Sequence, residues 1–209
     1  MSAKDWTLPI RSGRNLMRAK ATVFVLSALA ASGCVPDWAK QGESPEILLM
    51  TGINNGAPLE SDVRISTGSV CPDFVPLRVE NHQRNPLNTD ASFRSDIVIE
   101  RYDVRYFRSD GRSTEGVDVP FRITGNVAQE IQAGSSAVLN LEIVRRQAKL
   151  EPPLRNLTDL GGGQVVTMFG EVTIHARSTV NQTTNAATAR VQIDFADFAD
   201  ALTTCPTAQ

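Results

Sequence analysis

Asp96 to Arg108 reads DIVIERYDVRYFR, and this stretch decides the fold. Tyr102, Val104 and Tyr106 fall on alternate positions, with Arg101, Asp103 and Arg105 between them. A period of two puts apolar groups on one side of an extended chain and charges on the other, as in a strand with one buried face. Ser109-Asp110-Gly111-Arg112 then supplies turn chemistry, because Asp and Gly accept backbone conformations that most residues avoid.

The same rhythm extends in both directions. Toward the N-terminus, Asp73 to Asn81 (DFVPLRVEN) places Val75, Leu77 and Val79 on one face, and Pro76 predicts an edge position for this strand. Glu46 to Ile53 is a candidate first strand, followed by a turn at Asn54-Asn55-Gly56, a short segment Ser61 to Ser66, and a turn at Thr67-Gly68. Asn81 to Ser95 is a polar loop.

Toward the C-terminus, Val117 to Ile123 predicts a strand. Val127 to Ile131 and Ala137 to Ile143 predict a hairpin across Ala133-Gly134-Ser135. Val144 to Leu160 breaks the pattern, and Pro152-Pro153 forbids a continuous helix, so it reads as a crossover between two sheets with at most a turn or two of helix. Gly161 to Gly163 ends it. Val165 to Arg177 alternates around Gly170, a bulge or a close contact. After a turn over Asn181 to Asn185, Ala187 to Phe195 alternates again.

Seven or eight strands separated by regular turns, with almost no helix, predict an antiparallel β-sandwich over residues 46–200. In pattern this resembles immunoglobulin-like and fibronectin-like modules, and the LEA14-like sandwiches whose strands end in an AGSS-type turn, here Ala133 to Ser136. The antibody-type Cys…Trp…Cys spacing is missing, since both tryptophans, Trp6 and Trp38, precede the domain. A lipocalin-like barrel is the alternative arrangement.

Ahead of the domain, Ala21 to Cys34 (ATVFVLSALAASGC) runs from a basic flank through an apolar stretch into small residues. Its eleven apolar-run residues, Ala21 to Ala31, would make a helix of roughly 16 Å, half of a ~30 Å hydrocarbon core, which suits a signal rather than a span. Ala31-Ser32-Gly33-Cys34 resembles a bacterial lipobox, with Ala31 where most carry Leu. The resemblance implies cleavage between Gly33 and Cys34, acylation of Cys34, and removal of residues 1–33. Several acyl chains, at about 0.8 kcal/mol per buried methylene, would hold the protein on a membrane. Val35, by analogy with lipoprotein sorting, favours an outer membrane where one exists. Translation starting at Met17 would leave a signal of ordinary length with Arg18 and Lys20 as its flank. Residues 34–45 read as a tether, and 201–209 as a tail.

Five basic residues and one acidic residue precede Cys34, which leaves 16 against 22 in the mature chain, a net charge of −6. That balance excludes an electrostatic footprint for nucleic acid or a polybasic membrane patch. With Cys34 assigned to lipid, Cys71 and Cys205 are an even pair in an exported chain and predict a disulfide.

Chemistry is sparse. His82 and His175 are the only histidines, and neither has a nucleophile nearby in sequence. No G-x-S-x-G elbow, H-E-x-x-H helix or cofactor motif is present. Asp194, Asp197 and Asp200 repeat every third residue and could gather oxygen ligands for calcium if helical; the simpler reading is a strand end with Phe195 and Phe198 packed inward. Arg101, Arg105, Arg108 and Arg112 form either a basic stripe or a set of cross-strand ion pairs. The expectation is a lipid-anchored envelope domain that binds an envelope protein or glycan without catalysis or cofactor, through loops 54–72 and 81–95 and the crossover 144–164. The alternatives are a carboxylate-dependent envelope hydrolase and a calcium- or ligand-binding module.

Overall fold

The Asp96–Arg108 pattern becomes strand β4, Ile97–Arg108, in a computed structural model that describes residues 46–84, 95–158, 160, 163–180, 182–198 and 203–205. The chain divides into two units, residues 1–42 and 43–209, and every described residue belongs to the second. In chain order the other strands are β1 (Glu46–Ile53), β2 (Leu59–Asp62), β3 (Asp73–Gln83), β5 (Ile123–Ile131), β6 (Ser136–Val144), β7 (Val166–Ser178) and β8 (Thr184–Ala196). They form a three-stranded sheet, β1-β3-β6, and a five-stranded sheet, β2-β8-β7-β4-β5. This is the expected all-β sandwich, antiparallel throughout except where β2 runs parallel to β8.

Both sheets bury the faces their alternation dictates. Val75, Leu77 and Val79 of β3 and Leu139, Leu141 and Ile143 of β6 meet Val104 of β4, Val172 and Ile174 of β7, and Ile193 and Phe195 of β8 in a common core. Two tyrosines of β4 tie the layers together. Tyr102 Oη donates to the Glu142 carbonyl at 3.1 Å and Tyr106 Oη to the Ile143 carbonyl at 2.5 Å, both in β6 of the other sheet. Burial pushes both phenols above their ordinary pKa, so they remain donors.

A register shift between Ile99 and Arg101 makes Glu100 and Arg101 both face outward. The extra residue lets Ile97 and Ile99, on odd positions, share the core with Tyr102, Val104 and Tyr106 on even ones. Gly170 is a close contact and not a bulge. The ladder runs through it unbroken, and a Cβ there would lie 3.0 Å from Ile193 Cδ1.

Three sequence expectations are corrected. The predicted edge strand β3 is the centre of its sheet; Pro76 sits opposite Asn140 of β6, one residue beyond the last β1 pairing (Ile53 with Leu77), so at the proline itself β3 has a neighbour on one side only. The predicted 117–123 strand is a turn, closed by Thr114 O accepting from the amides of Val117, Asp118 and Val119; β5 starts at Ile123. The predicted β5–β6 hairpin does not form, because β5 pairs with β4 and β6 with β3, so Gln132–Ser135 carries the chain between sheets. Buried Asn81 holds that transition: its carbonyl accepts from Gly134 N, its amide donates to Ser135 O, and its Nδ2 donates to the Ser95 and Ile131 carbonyls. The Asp194 region follows its simpler reading, a strand end, with β8 extending to Ala196.

The crossover behaves as expected, leaving the small sheet at Val144 and entering the large one at Val166. It contains one helical turn, α1 (Arg146–Lys149), a 3₁₀ turn over Leu154–Leu157, and a cis peptide between Pro152 and Pro153. Positive φ at Asn54, Asn55 and Gly56 makes the expected tight turn after β1.

Candidate functional site

The outer face of the five-stranded sheet carries side chains that the core does not use. In register across β4, β7 and β8, Arg105 stands opposite Glu171 and Glu171 opposite Arg190. Two residues along, Phe107 stands opposite Phe169. The phenyl rings stack with centroids 5.7 Å apart and planes inclined by 26°. Arg190 lies over Phe107, its guanidinium carbon 5.0 Å from the ring centroid, while its Nε and Nη2 donate to Glu171 Oε2 at 2.9 and 2.8 Å. Ring and carboxylate together fix the guanidinium plane.

The segment after β4 walls this surface into a groove. The turn at Ser109–Arg112 is closed by Gly111 N donating to Arg108 O and Arg108 N donating to Arg112 O, and Arg112 pairs with Asp110 at 2.8 Å and Asp118 at 3.4 Å. Arg112 holds the Asp110 carboxyl below its usual pKa. Further along, Arg122 Nε donates to Glu115 Oε1 at 2.8 Å, and Phe121 packs over Gly116 so closely that a Cβ on the glycine would meet the ring at 2.7 Å. The result is an open groove of about 540 Å³, floored by Arg105, Tyr106, Phe107, Glu171 and Arg190 and walled by Ser113, Glu115 and Arg122.

The sequence did not single this groove out. Its signal was present as outward aromatics: Phe107 shares the parity of Arg101, Asp103 and Arg105, and Phe169 that of Glu171 and His175, so two adjacent strands each spend a large apolar side chain on the solvent face. Of the arginines flagged as a stripe, Arg105 enters the groove, while Arg108 and Arg112 pair with Asp110 at its margin. That favours cross-strand and turn ion pairs over a continuous basic stripe, and Glu100 pairs across to Arg177.

The other flagged residues are distributed elsewhere. His82 Nε2 is 2.7 Å from Glu80 Oε2 at the exposed end of β3, and the Glu80 carboxyl is held low by His82 and Thr51. His175 Nε2 is 2.8 Å from Asp103 Oδ2 on the outer face. The hydroxyl in that cluster, Thr124 Oγ1, donates to Asp103 Oδ1 at 2.5 Å, so the imidazole is oriented by a carboxylate but the hydroxyl beside it is committed to the carboxylate too. Asp194 accepts from Thr167 Oγ1 at 2.6 Å and from Gln192, while Asp197 pairs with Arg64 at 3.4 Å; the two point to different partners. Among the described residues no cluster of three or more metal-ligating side chains occurs. Phe195 is buried, and Phe198 N donates to Asp62 Oδ1. The sulfurs of Cys71 and Cys205 lie at disulfide distance, with Cα atoms 5.2 Å apart across 134 residues of chain. Gly33, Cys34, Asp200 and most of the loop 81–95 lie outside the described residues.

No protein-family model and no curated protein matches this sequence.

Proposed function

We propose that this is a lipid-anchored cell-envelope domain with a non-catalytic binding role, and that the groove on its larger sheet takes a carboxylate-bearing glycan. The groove carries the reading. Phe107, on the groove floor and braced by Phe169 behind it, offers an apolar contact to the C–H groups of a pyranose, the guanidinium of Arg105 suits a carboxylate, and Glu115 and Glu171 can accept from sugar hydroxyls. An envelope position follows from the lipobox resemblance at Ala31 to Cys34, with Cys34 as the acylated residue and an outer-membrane face favoured by Val35.

The rival reading, a carboxylate-dependent hydrolase, has Glu115 and Glu171 as its candidates. Each of these glutamates is bonded to an arginine and partly exposed, whereas a general acid needs a desolvated carboxyl without a cation beside it. That arrangement favours binding over bond cleavage.

Calorimetric titration of the detergent-solubilised full-length protein with a muramic-acid-containing disaccharide and tetrasaccharide tests the proposal, with uncharged chito-oligosaccharide and poly-glutamate as controls. Saturable binding of the muramic series, weakened at least tenfold (about 1.4 kcal/mol) by Phe107→Ala and by Arg105→Ala, is expected. Binding unaltered by both substitutions, preference for poly-glutamate, or release of reducing ends during the titration would overturn it.

A further inference from the structure

Away from the groove, the crossover buries a lysine. Lys149, the last residue of α1, is 2% exposed and ranks among the largest fully buried side chains of the described residues. Its Nζ donates to the Asp62 carbonyl at 2.7 Å and lies 3.0 Å from Asp73 Oδ1 and 2.9 Å from Oδ2. Being almost equidistant from the two oxygens, the nitrogen faces the carboxyl group as a whole rather than one oxygen. Ser61 Oγ donates to Asp73 Oδ2 at 2.6 Å. Three separate segments, the end of β2, the start of β3 and the crossover, therefore converge on one amine and one carboxyl.

We propose that Lys149 and Asp73 condense to form an intramolecular isopeptide bond. Nothing external is consumed. Proton transfer from the ammonium to the carboxylate gives a neutral amine and a carboxylic acid. The Nζ lone pair then attacks Cγ, forming the N–C bond, while the carboxyl C–O bond breaks and that oxygen leaves as water, carrying the transferred proton and one amine proton. The Asp62 carbonyl, already accepting from Nζ, holds one N–H away from Cγ and leaves the lone pair free to aim at it. The Ser61 hydroxyl stabilises the oxygen that becomes negative in the tetrahedral intermediate.

The surroundings favour the product. Burial is the largest influence on Asp73 and raises its pKa despite the lysine, a shift in the direction of the neutral acid from which water leaves. Two opposite charges out of water are costly to maintain, and an amide carries none. Asp73 lies two residues from Cys71, so the amide and the Cys71–Cys205 link would staple the same end of the sandwich.

The test is tryptic peptide mapping of reduced, alkylated full-length protein by mass spectrometry. The bond predicts a branched species in which residues 65–78 are joined to 147–155, uncleaved after Lys149, at one water less than the sum of the two peptides. Lys149→Arg, which keeps the charge but cannot form this amide, and Asp73→Ala should both abolish it. A wild-type digest with normal cleavage after Lys149 and only linear peptides covering Asp73 would overturn the proposal, whatever the variants do.

Discussion

At the scale of single residues, the tyrosines of β4 show how a few side chains register two sheets. Tyr106 is 5% exposed and its hydroxyl has one carbonyl to bond, that of Ile143. Tyr106→Phe leaves that carbonyl buried with one acceptor fewer satisfied, and should cost about 1–2 kcal/mol in denaturant unfolding. Gly125 is a test of space: a Cβ there would lie 2.2 Å from the Tyr102 ring, so Gly125→Ala must displace the ring and its bond to Glu142. We expect a loss of about 1–3 kcal/mol, read in the same way. Asp103 gives a pH signature. The Thr124 hydroxyl, then His175 and Arg101, hold its carboxyl below the ordinary value of about 3.9. A depressed carboxylate contributes stability that is complete above the unfolded pKa and disappears as pH falls through the folded one. Thus Asp103→Asn should lower the melting temperature at neutral pH and flatten its decline below about pH 4.

At the scale of elements, what was legible in the sequence was local. β3, β4, β7 and β8 follow from alternation because each has one face on the core, β1 was legible only as a short apolar run, and Asn54-Asn55-Gly56 turns where its chemistry requires. The switch from odd to even core positions within β4 was not read from the sequence; the strand register shows it, and Glu100 is the residue that makes it. Deleting Glu100 would turn Ile97 and Ile99 outward while Tyr102 to Tyr106 stay inward; we expect loss of a cooperative thermal transition. Partner choice was not legible. Val127 to Ile131 and Ala137 to Ile143 have the spacing of a hairpin, yet Asn81, fifty residues upstream of Ile131, bonds the connecting turn and sends the arms to different sheets. Pro76 marked an edge correctly for its own position and wrongly for its strand, because β1 stops one residue before it. The groove was missed for a similar reason. Phe107 and Phe169 are 62 positions apart, and only the β4–β7 register stacks them.

At the scale of the whole molecule, the Cys71–Cys205 link joins the start of β3 to the tail beyond β8. The chain-entropy estimate for so long a loop is at most about 5 kcal/mol. Reduction, or Cys71→Ser with Cys205→Ser, should therefore lower the unfolding free energy by about 2–4 kcal/mol without changing the strand content seen by circular dichroism. The claim beneath the functional reading is that this sandwich is held at a membrane through Cys34, since the envelope ligand and the oxidised cysteine pair both depend on that location. Intact-mass measurement of the protein extracted from its own membranes, with and without reductant, tests it most directly. The expected mass is that of residues 34–209 plus acyl chains, less one water where the Lys149–Asp73 amide is complete, rising by two hydrogens on reduction. A mass without lipid, or one retaining residues before Cys34, would contradict it.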